Sequence, residues 1–261
     1  MRVYLLSTIA LVAAVTVHSA SLADVKTVPY PEVKVKLSES YKPDAAFEKM
    51  RAAFASAAAK KDAAAILALV GPTFVWTMNG ALVDKFDMGR DAVHNFKVVF
   101  GFRGYGKTAD GGVEDGPFWD ALAAFANDKS YYKADDTGNL VCGPMSAEVA
   151  DDDVFEKAGG KLESEDSEVN WYFTLGETAV AKAPNDKGPP VAKLATVAVP
   201  VLQAFPEDEQ AETTHLQVLL PSGKTGWIAA AAARPLKTNR LCYAKTVTGD
   251  WKIVNFDEAE E

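Results

Sequence analysis

The chain has 261 residues, 48% of them apolar, 10% aromatic and 24% charged, a globular composition far from collagen-like, low-complexity or disulfide-dense classes. A formal charge of −9 and a pI near 5.0 argue against a protein that neutralises nucleic-acid phosphates or docks on anionic lipid. With two cysteines and three histidines, no metal site is expected, and no cofactor motif survives inspection.

Arg2, the apolar run Tyr4–Val17 and the small residues of Ser21-Leu22-Ala23 read as a signal peptide over 1–23, cleaved before Asp24. The run is shorter than the ~20 residues that span a bilayer, so no membrane insertion is expected. The mature chain is then periplasmic or secreted. Residues 24–43 form an extended lead-in in which Val33, Val35 and Leu37 alternate. Pro43 and Asp44 open a helix with Phe47, Met50 and Phe54 on its core face. Asp62 caps a second helix, through Val70, which Gly71 and Pro72 stop. Phe74–Met78, Asn79-Gly80 and Ala81–Val83 make a hairpin. A third helix runs from about Gly89 to Phe100, burying Val93, Phe96 and Phe100, and Pro117 opens a fourth carrying Phe118, Leu122 and Phe125. The segment 44–147 therefore reads as a helix-rich α+β domain.

Nine acidic residues and two lysines between Glu148 and Glu168, with Gly159-Gly160, predict a solvated linker or surface loop at 148–168. From Val169 the pattern turns all-β: Val169–Leu175, Thr178–Lys182, Pro190–Ala195, Val199–Leu202 and Leu216–Leu220 are short strands between turns. Arg240–Thr246 and Trp251–Phe256 close 169–261 as a final hairpin. Gly223-Lys-Thr-Gly-Trp-Ile228, with Ala179–Pro184, Pro190–Leu194 and Val199–Leu202 before it, resembles the Gly-x-x-Gly-Trp-Val signature of bacterial SH3-like domains. The resemblance implies a small barrel with Trp227 packed into it, and a cell-wall or protein ligand. Lys182 stands where that family usually has arginine, and His215 near the place of a tryptophan. The amino half, with two helices, a Trp76-bearing strand and Gly89-Arg90-Asp91 starting a helix, also resembles nuclear-transport-factor-2-like folds.

Several motifs invite chemistry. Gly101–Thr108 spells a P-loop, yet glycines and Pro117 follow where a phosphate-holding helix must begin. Ser130-x-x-Lys133 with Lys224-Thr-Gly226 imitates acyl-enzyme motifs, but no Ser-x-Asn accompanies them. Cys142 could serve as a nucleophile; an even cysteine count in an oxidising compartment favours a disulfide to Cys242 instead, stapling the amino half to the barrel. Asp84, Asp87 and Asp91 could supply a pocket base or merely cap a helix.

These readings lead to an exported, non-enzymatic binding protein of α+β class: a helix-rich amino half with a β-hairpin, then an SH3-like barrel and a carboxyl-terminal hairpin. Its ligand residues are expected to be Tyr172, His215, Trp227 and Trp251, and its partner a cell-envelope protein or peptidoglycan. The competing reading is a small-molecule enzyme or binder with a pocket in the amino half, lined by Trp76 and the aspartates.

Overall fold

The computed structural model describes residues 26–78, 81–82, 91–100, 116–162, 169–206 and 213–259. The expected signal peptide, the Asn79-Gly80 turn, the P-loop-like stretch, and Asp84 and Asp87 lie outside the described residues.

Local chemistry starts the helices as expected. The Asp44 carboxylate accepts from the Phe47 N–H at 2.7 Å and opens α1 (Ala45–Ala59), whose Phe47, Met50 and Phe54 are buried. Asp62 caps α2 (Ala63–Leu69) by accepting from the Ala65 N–H at 3.0 Å. Asp91 caps α3 (Ala92–Val99) and accepts from the His94 N–H at 2.8 Å. This third helix buries Ala92, Asn95 and Phe96, while Val93 and Phe100 are half-buried. The fourth, α4, runs Gly116–Asn127.

The second helix does stop before Gly71 and Pro72, at Leu69, with Val70 as its C-cap. The chain passes from α2 into a strand, β2 (Val70–Met78), that runs through both residues. The parallel ladder to the last strand of the chain, Trp251–Glu258, breaks between Val70↔Ile253 and Val75↔Asn255, so Pro72 sits where no ladder hydrogen bond is asked of it. A Cβ on Gly71 would come 3.0 Å from Val254 Cγ1 and 3.3 Å from the Ile253 carbonyl, which explains a glycine at this approach.

The remaining strands are β1 (Val33–Leu37), β3 (Ala81–Leu82), β4 (Tyr132–Lys133), β5 (Leu140–Gly143), β6 (Ala147–Val149), β7 (Trp171–Thr174), β8 (Thr178–Val180), β9 (Ala192–Leu194), β10 (Val197–Phe205), β11 (His215–Leu219), β12 (Thr225–Ala229), β13 (Ala233–Pro235), β14 (Arg240–Lys245) and β15 (Trp251–Glu258). Six of them form one sheet in the order β3-β2-β15-β14-β5-β4, with β2 parallel to β15. A second sheet runs β12-β11-β10-β1-β6, and β7 bridges β10 to β13; β8 and β9 pair separately.

The expected division into a helix-rich amino half and a separate β half is not what the molecule shows. Strand exceeds helix, 37% against 28%, and both sheets draw strands from both ends of the chain. The carboxyl-terminal hairpin β14–β15 fills the middle of the six-stranded sheet, between β2 and β5. The lead-in strand β1 fills the second sheet, between β10 and β6. One unit is therefore built from residues 40–143 and 240–258, the other from 26–38 and 144–236. Short strands such as β4, β5 and β6 carry too few residues to declare a period, so local pattern reading undercounts them.

The acidic stretch is also structured where it is described. Val149 pairs with Val35, and α5 (Asp152–Leu162) follows. Its Ala158 and Leu162 are buried, with Val154 and Phe155 packed beside them in a core with Val33, Val35, Trp171 and Phe173. The acids lie between these apolar positions, so composition hid an amphipathic helix. Phe47 forms the hub of the other core, in edge-on contact with Tyr41, Tyr131, Tyr243 and Trp251.

Asp44 joins α1 to this core. Besides its capping bond it accepts from Lys245 Nζ at 2.7 Å and Trp251 Nε1 at 3.3 Å. The Lys245 hydrogen bond, then the Phe47 N–H, holds the carboxyl below its ordinary range. A depressed acid stabilises the fold above its unfolded pKa and loses that contribution as pH falls through the folded value. Asp44→Ala is therefore expected to cost about 1 kcal/mol at pH 7, the usual worth of a cap. The cost should shrink below about pH 4, where the unfolded carboxyl protonates, and fade as the folded one does. Thermal melts of both chains across pH 2–7 check this.

Candidate functional site

The second sheet separates two layers by simple alternation. Leu216, Val218 and Ile228 point into a core with Val180, Val197 and Val199. Their neighbours point the other way: Gln217 stands opposite both Trp227 and Gln203, and His215 opposite Phe205. A bulge between Val201 and Gln203 keeps that outward set in step on β10. The Trp227 ring meets the Phe205 ring edge-on at 6.1 Å, and the His215 ring lies 6.4 Å from Phe205. His215 is fixed from its other side by Thr214, whose hydroxyl is 3.0 Å from Nδ1. All five outward residues are half-buried.

Two glycines hold Trp227 in place. A Cβ at Gly226 would lie 2.3 Å from Val180 Cγ1, so only glycine lets β12 close on β8. Gly223 turns the chain at φ +79°, and a Cβ there would lie 2.8 Å from the Pro29 nitrogen of the lead-in. Trp227 itself exchanges backbone hydrogen bonds with Ala181 at 2.8 and 2.9 Å. Gly223 turns the chain as the signature implied, whereas Gly226 lies inside β12 and makes room for β8, and Trp227 faces outward from the sheet rather than into its core. Ile228 takes the inward place.

The four expected ligand residues are not brought together. His215 and Trp227 share the outward face. Tyr172 pairs with Val199 and packs on the inward core, on the opposite side of the sheet. Burial raises its phenol pKa. Trp251 is 3% exposed and belongs to the other unit, against Tyr41 and Phe47. Sequence reading missed Gln203 and Phe205, because Gln203-Ala-Phe205 was placed beyond the end of its strand. The alternation of Gln203 and Phe205, continued across the turn by His215 and Gln217, was the available signal.

The two cysteines do pair: Cys142 and Cys242 are bonded, with Cα atoms 4.0 Å apart. The bond joins neighbours β5 and β14 inside the six-stranded sheet rather than stapling that unit to the other. It closes the root of the 144–239 insert, whose two ends leave these adjacent strands. On the same face of that sheet runs a polar chain that the sequence did not announce. Thr77 Oγ1 donates to Asp257 at 2.6 Å, Arg240 pairs with Asp257 at 2.7 Å, and Arg240 also donates to Ser146 Oγ at 2.9 Å. With Arg234 and Asp128 at 3.6 Å, these groups tie the insert to its platform.

The remaining motif residues have structural partners. Ser130 Oγ donates to Asp128 at 2.6 Å and Lys133 pairs with Glu39, so neither side chain is directed at the other. Asp91 is spent on the α3 cap. The helix-facing side of the six-stranded sheet is filled by Phe74, Phe96, Tyr243, Trp251 and Phe256, with Trp76 donating to Glu258 at 3.0 Å beside them. Among the described residues no group of three metal-ligating side chains occurs. Compared with known proteins, the chain matches no family model, no curated sequence and no solved structure.

Proposed function

We propose that this is an exported, non-enzymatic binding protein whose bacterial SH3-like barrel, inserted into a nuclear-transport-factor-2-like platform, engages a cell-wall or envelope-protein ligand. The observation that carries the reading is the outward aromatic and amide face of Phe205, His215, Gln217 and Trp227, each of them only half-buried. The barrel assignment is supported by the order of β7, the β8–β9 hairpin, β10 to β12, and a single 3-10 turn (Ala230–Ala232) before β13 returns to β7. The platform assignment is supported by the parallel pairing of β2 with β15 and by helices packed on one face. Aromatic filling of that face supports a scaffold role for the platform over a substrate pocket.

The test uses the full mature chain, because the barrel includes β1 from the lead-in. Immobilised wild-type chain is expected to retain peptidoglycan fragments or envelope proteins, and Trp227→Ala to retain at least about tenfold less, as for an aromatic anchor. Equal retention by both chains would remove this face from the function.

A further inference from the structure

Resting on that reading, the chemistry of the face narrows its ligand. The outward side chains of β10, β11 and β12, Gln203, Phe205, His215, Gln217, Thr225, Trp227 and Ala229, with Leu219 buried under the lead-in at one end, include no Asp, Glu, Lys or Arg. The face therefore offers nothing to an acidic or phosphorylated motif. Strand addition is also closed here. Both sides of β11 are paired, and the free side of β12 is taken at Trp227 by Ala181.

What the face does offer is a ring and hydrogen bonds. Trp119, Trp171 and Trp251 are buried, and Trp76 is committed to Glu258. Trp227 is half-buried, and its indole N–H makes no hydrogen bond among the described residues. The Gln217 amide directly opposite is likewise uncommitted, with two donors and an acceptor to give. An apolar plate beside neutral donors and acceptors fits a ligand that is apolar on one face and ringed by hydroxyl or acetamido groups at its edge. The net charge of −9 disfavours an anionic polymer.

We infer that the Trp227 face binds a neutral saccharide, stacked on the indole ring and hydrogen-bonded at its edge by the Trp227 N–H and Gln217. The probe is the hexamer of β-1,4-linked N-acetylglucosamine, titrated calorimetrically into the full mature chain beside a proline-rich peptide and whole sacculi. Saturable binding of the hexamer is expected, weakened about three- to tenfold by Gln217→Ala, the worth of one hydrogen bond. Trp227→Phe should weaken it by a similar factor and Trp227→Ala by more than either, with melting temperatures confirming that each variant is folded. Trp227-dependent binding of the peptide or sacculi without the hexamer would overturn the saccharide assignment and leave the binding face standing. Loss of Trp227 dependence for every probe would overturn both.

Discussion

Removal of the Cys142–Cys242 bond is expected to lower the melting temperature by about 10 °C or more. The bond closes a loop of 100 residues, which chain-entropy reasoning values at about 4–5 kcal/mol, and each kcal/mol moves the midpoint of a chain this size by about 2–4 °C. Its position sharpens the expectation. Both sulfurs belong to residues no more than 4% exposed, at the root of the insert, where β5 and β14 must meet before 144–239 can form a closed excursion. Thiol reagents should therefore leave the native chain oxidised and act only once it is unfolded. The measurement compares scanning calorimetry of the native chain with Cys142→Ala/Cys242→Ala. A midpoint unchanged between them would show that the sheet needs no covalent root.

Deletion of the lead-in through Ser38 is expected to abolish the native fold of both units. Val33 is fully buried and Tyr30 and Val35 nearly so, each worth about 2 kcal/mol of burial, before the lost pairing of β1 with β10 and β6 is counted. Tyr30 also donates to the Leu219 carbonyl at 2.7 Å, tying the lead-in to β11. The total approaches the 5–15 kcal/mol on which a domain stands. Because each unit borrows strands from the far end of the chain, the loss should spread. Val33→Ala, a milder variant, should shift Trp171 in one unit and Trp251 in the other by the same amount, in one transition. Separate transitions in single-tryptophan variants would mean that the units fold independently despite their exchange of strands.

Several features of this chain were legible without a structure. Aspartates at 44 and 62 announce their helices because capping involves a side chain and a backbone N–H only three residues away, whereas the third helix, expected from about Gly89, is capped by Asp91. Gly223 announced its turn for the same reason, since the positive φ it adopts is settled within the turn itself. The cysteine pair could be argued from count and compartment. Trp227 and His215, both expected as ligand residues, share one face of the sheet.

What failed was the pairing of distant strands. The acidic stretch was expected to be a linker because charge dominates its composition, while four apolar residues at helical spacing decide where α5 packs. Trp251 and Tyr172 look as available as Trp227 in a sequence, since an aromatic residue carries no mark of which layer it will enter. By itself, then, the sequence determined where helices begin, where the chain turns and which residue types could recognise a ligand. Tertiary structure alone decided that β1 joins the seven-stranded sheet, that β14 and β15 complete the six-stranded one, and that Trp227 is left facing outward. The reason is physical: caps and turns are settled within a few residues, whereas a strand acquires its face and its partner only when hydrogen bonds and burial are satisfied across the whole chain.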